Sequence, residues 1–237
     1  MNATRRPALR WYGGKWLLAP WIISHFPEHR IYTEVFWGAC SVLLRKPRSY
    51  SEVYNDLDEE VVNFFRVLQE PSVSERLNEL LRMTPFSRKE YELAYKPSDD
   101  RVERARRLVI RSWMGYGSNA HNRTRKSGFR ANATRSGTVP AHDWVNYSEC
   151  FPLLVERLRG VIIECKDAAD ILRTHDSSQT LHYVDPPYIH STRARGMRQR
   201  DYNFELDDDQ HAELAKVLIS LRGMESKQPF VLREFYD

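Results

Sequence analysis

Short apolar runs with the composition of β-strands alternate with helical patterns near both ends of the chain. In the first third, a helical pattern at 16–26 precedes a β-forming run at 31–36, and a second such run occupies 50–54. A short helical stretch at 42–45 lies between the two runs, and an amphipathic helix follows at 57–68. Strand, small-residue turn, helix and strand are typical of the first unit of a nucleotide-binding α/β sheet.

The same alternation returns in the last third of the chain. Apolar runs at 161–165 and 180–184 predict two further strands, and helical patterns at 168–173 and 208–222 follow them. The chain shows no internal repeat. We therefore predict an α/β fold to which both ends of the chain contribute.

The middle third is helical instead. Helical patterns lie at 73–83, 87–94, 102–114 and 144–158. Between 115 and 140 periodicity disappears, and Gly, Ser, Asn, Thr and Arg dominate. An irregular stretch of that length inside a compact domain is functional or disordered. We predict an α/β domain formed by 1–68 and 159–237, interrupted by a mostly helical insertion at 69–158.

Positive charge is concentrated in this insertion. Residues 101–135 contain ten Lys or Arg and one acid, Glu103, a net charge of +9 that leaves −5 for the rest of a chain of net charge +4. A block of charge is often only a solvated face. Here the basic residues are interleaved with Trp113, Tyr116, Phe129 and asparagines, which are side chains that contact phosphates and base edges. The pattern favours a nucleic-acid-binding surface.

Several other classes of protein are disfavoured by composition. No apolar stretch approaches the roughly 18 residues needed to cross a membrane, and residues 1–10 do not resemble a signal peptide. We therefore expect a cytoplasmic protein that has no membrane as a partner. Cys40, Cys150 and Cys165 are odd in number and widely spaced, and the histidines form no metal-binding spacing, so we expect neither disulfides nor a metal.

The tetrapeptide Asp185-Pro186-Pro187-Tyr188 directly follows the apolar run 181–184. Proline fixes its own φ and holds the preceding residue in extended geometry, so this turn is stiff. A carboxylate, a carbonyl and a ring at the end of a strand can hold a flat molecule with an exocyclic amine. The alternative is that the prolines merely end the strand and Tyr188 fills a core.

A second turn, Trp37-Gly38-Ala39-Cys40-Ser41, follows the first predicted strand. It has neither the Gly-x-Gly-x-x-Gly pattern nor the Lys-Ser/Thr of a P-loop, which argues against a dinucleotide or ATP. Asp56 ends the second strand about 20 residues later, where α/β folds bind ribose hydroxyls. An adenosine ligand without phosphates fits these features, and S-adenosylmethionine is the obvious candidate.

Three blocks in this order resemble the Dam-type (D12 class) N6-adenine-specific DNA methyltransferases, in a bacterial or prophage setting. They are Arg10-Trp11-Tyr12-Gly13-Gly14-Lys15, the segment 34–42, and Asp185-Pro186-Pro187-Tyr188. The resemblance covers about residues 9–222. It implies a Rossmann-like S-adenosylmethionine-dependent methyltransferase sheet with an inserted, mostly helical DNA-recognition domain.

The resemblance assigns roles to matching positions. The implied cofactor-binding residues are Trp11, Lys15, Glu34, Phe36, Gly38, Ala39, Cys40, Ser41, Asp56 and Asp185. The implied catalytic residues are Asp185, Pro186, Pro187 and Tyr188. The implied DNA-binding residues are Arg10, Asn119, His121, Arg123, Arg125, Lys126 and Arg130. For any single DNA-binding residue, base reading and a plain phosphate contact both stay open.

The implied reaction is physically consistent. The lone pair of adenine N6 is delocalised into the ring, and hydrogen bonds from the amine to Asp185 and to the Pro186 carbonyl would expose it. Orientation towards the sulfonium methyl and local electrostatics would then supply most of the catalysis. Tyr188 would stack on the base. The adenine must first be flipped out of duplex DNA, at a cost of a few kcal/mol.

The chain also departs from the family. Val35 stands where proline is usual, Cys40 where glycine or alanine is usual, and Trp37 is bulky for its turn. The polar segment 225–228 stands where further strands are usual, so either 230–232 forms a substitute strand or the chain is a C-terminally shortened member of the family. An RNA amine methyltransferase and a catalytically impaired DNA-binding remnant stay open as alternatives. So do the target sequence, with His121 in place of an apolar residue, and the state of assembly, a monomer or weak dimer.

Overall fold

A computed structural model describes residues 4, 6–36, 38–117, 127–132, 134, 139–187 and 204–222. The chain divides into two compact units. The first, here called the helical unit, comprises Met1–Pro20, Gly38–Lys46 and Asn63–Arg159. The second, called the sheet unit, comprises Trp21–Trp37, Pro47–Val62 and Gly160–Asp237. The domain boundaries expected from the sequence, at 69 and 158, stay a prediction.

The described part of the sheet unit contains four short parallel strands. They are β1 (Ile31–Glu34), β2 (Ser51–Asn55), β3 (Val161–Glu164) and β4 (Thr180–Tyr183). Their order is β3-β2-β1-β4, and every neighbouring pair is parallel. Glu34 lies opposite Tyr54 on one side and Tyr183 on the other, so three strands end level with one another. Tyr, Val, Ile and Thr dominate these segments, as expected for a pleated, buried surface.

Two helices cover the sheet and close its apolar core. They are α9 (Ala168–Thr174) and α10 (Asp208–Ser220). Val35, Val53 and Val184 pack with apolar residues of both helices, namely Ala168, Ile171, Leu172, Leu214 and Val217. Each helix begins at an aspartate whose side chain accepts backbone N–H groups, Asp167 for α9 and Asp207 for α10. The predicted α/β class is confirmed by this parallel sheet with its helices.

The helical unit consists of short helices. They are α2 (Ser41–Arg45), α4 (Pro71–Met83), α5 (Arg88–Leu93), α6 (Arg101–Met114), α7 (Pro140–Tyr147), a 3₁₀ turn (Ser148–Cys150) and α8 (Phe151–Leu158). Two more, α1 (Ala19–Ser24) and α3 (Glu59–Gln69), contribute residues to both units. Helix α6 begins at Asp100, whose carboxylate accepts from Val102 N and Glu103 N. The apolar residues of α6 are buried, and its arginines lie between them along the sequence of the helix.

Two helices differ from their predicted bounds. The helix predicted at 16–26 is only six residues long, because Pro20 and Pro27 lie close to its two ends. The helix predicted at 144–158 is two helices separated by a 3₁₀ turn. Pro140 and Pro152 each lie in the first turn of one of them, where proline is favoured and a preceding α-helix cannot continue. Among the described residues, no helix is long and apolar enough to cross a membrane.

Candidate functional site

The carboxyl edge of the sheet brings together three of the segments singled out in the sequence. Glu34 ends β1, Asp56 directly follows β2, and Asp185 comes two residues after β4. These strands are adjacent, parallel and level, so the three acids follow the same edge of the sheet. In open α/β sheets, ligands bind outside the carboxyl ends of the strands. The edge is therefore the natural position for a site in the sheet unit.

Glu34 is a buried carboxylate, with 3% of its surface exposed. The hydroxyl of Tyr32, two residues earlier and so on the same face of the strand, donates to Glu34 Oε2 at 2.5 Å. A buried charge needs such partners, because desolvation is expensive without them. The hydrogen bond holds the carboxylate in one orientation at the end of β1. Phe36, two residues on, is half-buried and packs against the apolar core.

Asn55 secures this edge, and the sequence analysis missed it. The side chain is buried and bonds two neighbouring segments: Nδ2 donates to Val35 O (3.2 Å) and Lys166 O (2.9 Å), and Oδ1 accepts from Lys166 N (2.9 Å). These bonds link the end of β2 to the segments that directly follow β1 and β3. The only signal in the sequence was an asparagine before Asp56 at the end of a strand.

Asp56 is half-buried and is oriented by the chain that follows it. Its Oδ1 accepts from Asp58 N at 2.7 Å, and Asp58 Oδ1 accepts in turn from Glu60 N at 3.0 Å. These two turns lead into α3. They hold the Asp56 side chain at the sheet edge, where the sequence predicted a ribose-binding acid.

The residues Asp185, Pro186 and Pro187 are half-buried and follow the fully buried Val184. Val184 belongs to the apolar core, so the turn leaves the sheet from a fixed point. Tyr188, its predicted stacking partner for a base, lies outside the described residues. The described part of the motif therefore offers one carboxylate and two stiff backbone carbonyls at the sheet edge.

In the helical unit, the structure brings Trp11 and Gly38 into direct contact. A Cβ at Gly38 would lie 2.0 Å from Trp11 Nε1, and the φ of Gly38 is +43°. Both the space and the backbone conformation therefore require glycine. Trp37, which precedes it, lies outside the described residues. The glycine turn is thus packed beneath the indole of the first motif.

The rest of this turn is buried and carries an unusual backbone conformation. Ala39, Cys40 and Ser41 are all buried, and Cys40 has φ 60° and ψ 29° just before α2. A non-glycine residue in this left-handed region is uncommon. Its carbonyl accepts the helical hydrogen bond from Leu44 N at 3.0 Å. The predicted cofactor residues of this block thus form a tight entrance to a helix.

The first motif is itself a fixed turn. Gly14 N donates to Trp11 O at 3.2 Å, and Lys15 Nζ donates to Gly13 O at 2.9 Å. Just before it, the hydroxyl of Ser112 bonds both backbone groups of one residue. It accepts from Arg10 N (2.6 Å) and donates to Arg10 O (3.0 Å). The path of the chain at Arg10 is therefore set by helix α6.

Most of the arginines of α6 are engaged within the helical unit. Four of them bond acids or carbonyls: Arg101 with Glu70, Arg106 with Glu90 and Glu103, Arg107 with Glu103 and the carbonyls of Lys96 and Pro97, and Arg111 with the carbonyl of Ala94. The hydrogen bond from Arg106 holds the pKa of Glu103 below its usual value. Many of the positive charges on which the prediction of a nucleic-acid surface rested are therefore bonded to acids and carbonyls of the protein itself.

Arg130, a predicted DNA contact, also points inward. Only 8% of its surface is exposed, its guanidinium donates to Trp113 O at 3.1 Å, and it lies 4.0 Å from Asp143 Oδ2. Burial of this kind favours a supporting role over a phosphate contact. The other predicted contacts of this region lie outside the described residues: Asn119, His121, Arg123, Arg125 and Lys126.

No group of three or more His, Cys, Asp or Glu side chains among the described residues could hold a metal ion.

Comparison with known proteins identifies the family of the chain. A family model, D12 class N6 adenine-specific DNA methyltransferase, matches residues 11–234. Two relatives, both named DNA adenine methylase, come from El Tor Inaba and Ogawa strains of Vibrio cholerae serotype O1. Each is 26% identical over 230 residues, which cover 93% of this chain and 79% of the relative.

Proposed function

Because the chain belongs to the D12 class of N6 adenine-specific DNA methyltransferases, it is a DNA adenine methyltransferase, and we propose how its residues perform the transfer. The observation that carries the proposal is the meeting of three motif acids at one edge of a parallel sheet. Family membership gives the reaction, and the three acids at this edge support it as the proposed site.

The residues at hand fit S-adenosylmethionine as the methyl donor. Its ribose hydroxyls and ammonium group are hydrogen-bond donors, and the carboxylates of Glu34 and Asp56 are fixed acceptors at the sheet edge. The turn at 38–41 has no pattern for holding phosphates, which this donor lacks. The other proposed cofactor contacts, carried over from the family motifs, are Trp11, Lys15, Phe36, Gly38, Ala39, Cys40, Ser41 and Asp185. When bound, the donor supplies an electrophilic sulfonium methyl group.

The proposed catalytic group is the turn after β4. The Asp185 carboxylate and the Pro186 carbonyl accept the two hydrogens of the adenine amine and so orient the nitrogen lone pair. Because both prolines restrict the backbone, these acceptors are in place before the base arrives, which is the source of the rate enhancement. Pro187 keeps the turn extended, and Tyr188 stacks on the flipped base. No proton need leave the amine before it attacks the methyl carbon; as the new N–C bond replaces the S–C bond of the donor, S-adenosylhomocysteine is released and the methylated amine loses one proton to solvent.

The proposed partner is double-stranded DNA, from which the target adenine is flipped. Arg10 and the loop residues Asn119, His121, Arg123, Arg125 and Lys126 are its proposed contacts, with Arg130 supporting the loop from within. Phosphate contacts offset part of the cost of flipping, and they make DNA binding depend strongly on salt. We propose that the enzyme acts as a monomer or weak dimer on DNA in the bacterial cytoplasm.

A transfer assay tests the proposal. Purified protein is incubated with S-adenosylmethionine labelled in its methyl group, and with unmethylated plasmid DNA, with RNA, or with no nucleic acid. We expect label in DNA only, at adenine N6, and mapping of the methylated adenines then gives the target sequence. Incorporation into RNA alone, or DNA binding without incorporation, would contradict the proposal.

A further inference from the structure

The two ends of the predicted base-reading loop meet in a short antiparallel pairing. It consists of one bridge and two flanking hydrogen bonds: Gly115 with Phe129, Tyr116 N to Gly128 O (2.6 Å), and Arg130 N to Met114 O (2.9 Å). We call residues 114–116 and 128–130 the loop root. Residues 118–126, which lie outside the described residues, connect its two sides. Any force that fixes the root also fixes where this loop begins and ends.

An aromatic cluster holds one side of the root against α5. The ring of Phe129 lies 5.0 Å from that of Phe86 and 5.9 Å from that of Tyr91, and the guanidinium of Arg88 lies 5.2 Å from its centre. Helix α5 is itself anchored at Ser87, whose side chain accepts from Glu90 N. The root is therefore packed on a helix with a defined start.

Tyr91 adds directional bonds to this packing. Its side chain is 1% exposed, yet its hydroxyl has three partners: Tyr95 Oη at 2.7 Å, Ser127 O at 2.7 Å and Ser127 Oγ at 3.0 Å. Ser127 is the last residue before Gly128 and so the end of the loop itself. Burial raises the pKa of Tyr95, so that hydroxyl stays protonated and can take part in the network. A buried hydroxyl with these bonds fixes the direction in which the chain leaves the root.

We propose that Tyr91 is a positioning residue for DNA recognition: by binding Ser127 it fixes the described ends between which the predicted base-reading residues lie. The inference rests on the proposed role of this loop in reading DNA. Bidentate hydrogen bonds to base edges tolerate little displacement, so a shift of the loop root would weaken base reading by the residues that it connects. Tyr91 acts only through Ser127 and the root, without touching DNA.

The test uses Tyr91→Phe in the full chain, with duplexes that carry the wild-type target sequence or single-base changes of it. Loss of one buried hydrogen-bond network is expected to raise the KM for target DNA about three- to tenfold and to reduce discrimination against altered sites by a similar factor. The kcat at saturating DNA should stay within about twofold. In hydrogen exchange, the amides of Tyr116 and Arg130 should exchange faster than in the wild type.

Two further variants separate positioning from stability. Ser127→Ala removes only the Oγ contact and should shift discrimination in the same direction by less. Should Tyr91→Phe unfold, Ser127→Ala carries the test. Tyr147→Phe is the matched control, because its hydroxyl donates to Ala8 O (2.8 Å) in the same unit and makes no hydrogen bond to the loop root among the described residues. It should lower stability without changing discrimination.

The outcomes are distinct. If wild-type protein transfers no methyl group to DNA, the proposed function fails, and hydrogen exchange at the root still reports on the Tyr91 anchor. If the wild type methylates DNA selectively but Tyr91→Phe retains its KM, its discrimination and its exchange rates, the inference is wrong. If Tyr147→Phe loses discrimination as much as Tyr91→Phe does, the effect is one of general stability and the inference is again wrong.

Discussion

The carboxyl edge of the sheet and helix α6 use their charged residues in opposite ways. At the edge the charged residues are few. Asp56 and Asp185 are half-buried there, and backbone geometry holds them at the ends of strands. On α6, arginines are abundant, yet Arg106 and Arg111 bond acids and carbonyls of their own unit. Position in the topology, more than density of charge, makes a residue available to a ligand. A region that looks like a binding surface by composition can be mostly a structural network.

The largest expected effect lies at the sheet edge. Asp185→Ala removes a preorganised acceptor for the adenine amine and should lower methyl transfer on the order of a thousandfold, as measured with labelled S-adenosylmethionine. DNA affinity should change little, because the proposed phosphate contacts lie in other segments of the chain. Asp170→Asn, on the exposed side of α9, is a control that should keep full activity. Survival of activity in Asp185→Ala would end the catalytic assignment.

The buried arginine of α6 provides the opposite test. Arg111 is 1% exposed, and its guanidinium donates to Ala94 O at 2.7 Å and lies 5.9 Å from the centre of the Tyr95 ring. Arg111→Met leaves this carbonyl without its donor and should lower the free energy of unfolding by about 2 kcal/mol. Denaturant unfolding measures this loss. The dependence of DNA affinity on salt should keep its slope, since the slope counts phosphate contacts.

Arg104→Met on the same helix is the matched variant. The Arg104 guanidinium forms no ion pair with the residues that the structure describes, so its loss should affect stability less. A shallower salt slope for Arg111→Met would show that the buried arginine does contact DNA. The contrast between the two regions would then disappear.

The glycine turn tests whether Gly38 and Trp11 belong to the proposed cofactor site. Gly38→Ala forces the Trp11 indole away and should raise the KM for S-adenosylmethionine about tenfold, a change worth about 1.4 kcal/mol. Gly160→Ala is the control for backbone strain alone, because its φ is +79° but no atom lies within 4 Å of the added carbon. An unchanged KM in Gly38→Ala would remove both residues from the proposed cofactor site.

The smallest effects separate the two units by pH. Burial lowers the pKa of His182 below its usual 6.5, while Asp176 acts in the opposite direction. A lowered histidine pKa gives stability that is full above pH 6.5 and lost as pH falls through the folded pKa. For Glu103, bonded to Arg106, stability is full above its usual 4.5 and is lost at still lower pH.

Unfolding measured between pH 7 and pH 3 should therefore show two losses. The sheet unit should weaken first, below pH 6.5, and His182→Gln should reduce that loss. The helical unit should weaken only in the acid range, and Glu103→Gln should reduce the second loss. A single loss, insensitive to His182→Gln, would contradict the assignment to the sheet unit.

Much of the fold follows from sequence periodicity alone. The strand predicted at 50–54 is β2 at Ser51–Asn55, and the helix predicted at 57–68 is α3 at Glu59–Gln69. Apolar spacing is a local property, so it predicts local structure. The prolines that shorten α1 and divide α7 from α8 are visible in the sequence. The sequence alone does not show whether a proline ends one helix or begins the next.

The contacts of the site depended on tertiary structure and were less predictable. Glu103 lies three residues from Arg106, within the spacing that a helix pairs, whereas Glu90 lies sixteen residues away and could not be matched to it from sequence. Asn55 was missed because its partners, Val35 and Lys166, become neighbours only when the sheet forms. The inward orientation of the Arg130 side chain was missed for the same reason, because its partners Trp113 O and Asp143 become neighbours only in the folded chain.

The hydroxyl of Ser112 has a consequence for how this enzyme can change. Because it bonds both the N–H and the C=O of residue 10, the main chain is held there whichever side chain that residue carries. Exchange of the Arg10 side chain therefore leaves both backbone bonds in place. Substitutions at this position are a route by which evolution or a protein engineer can alter the proposed contact with DNA while the main chain before Trp11 stays held.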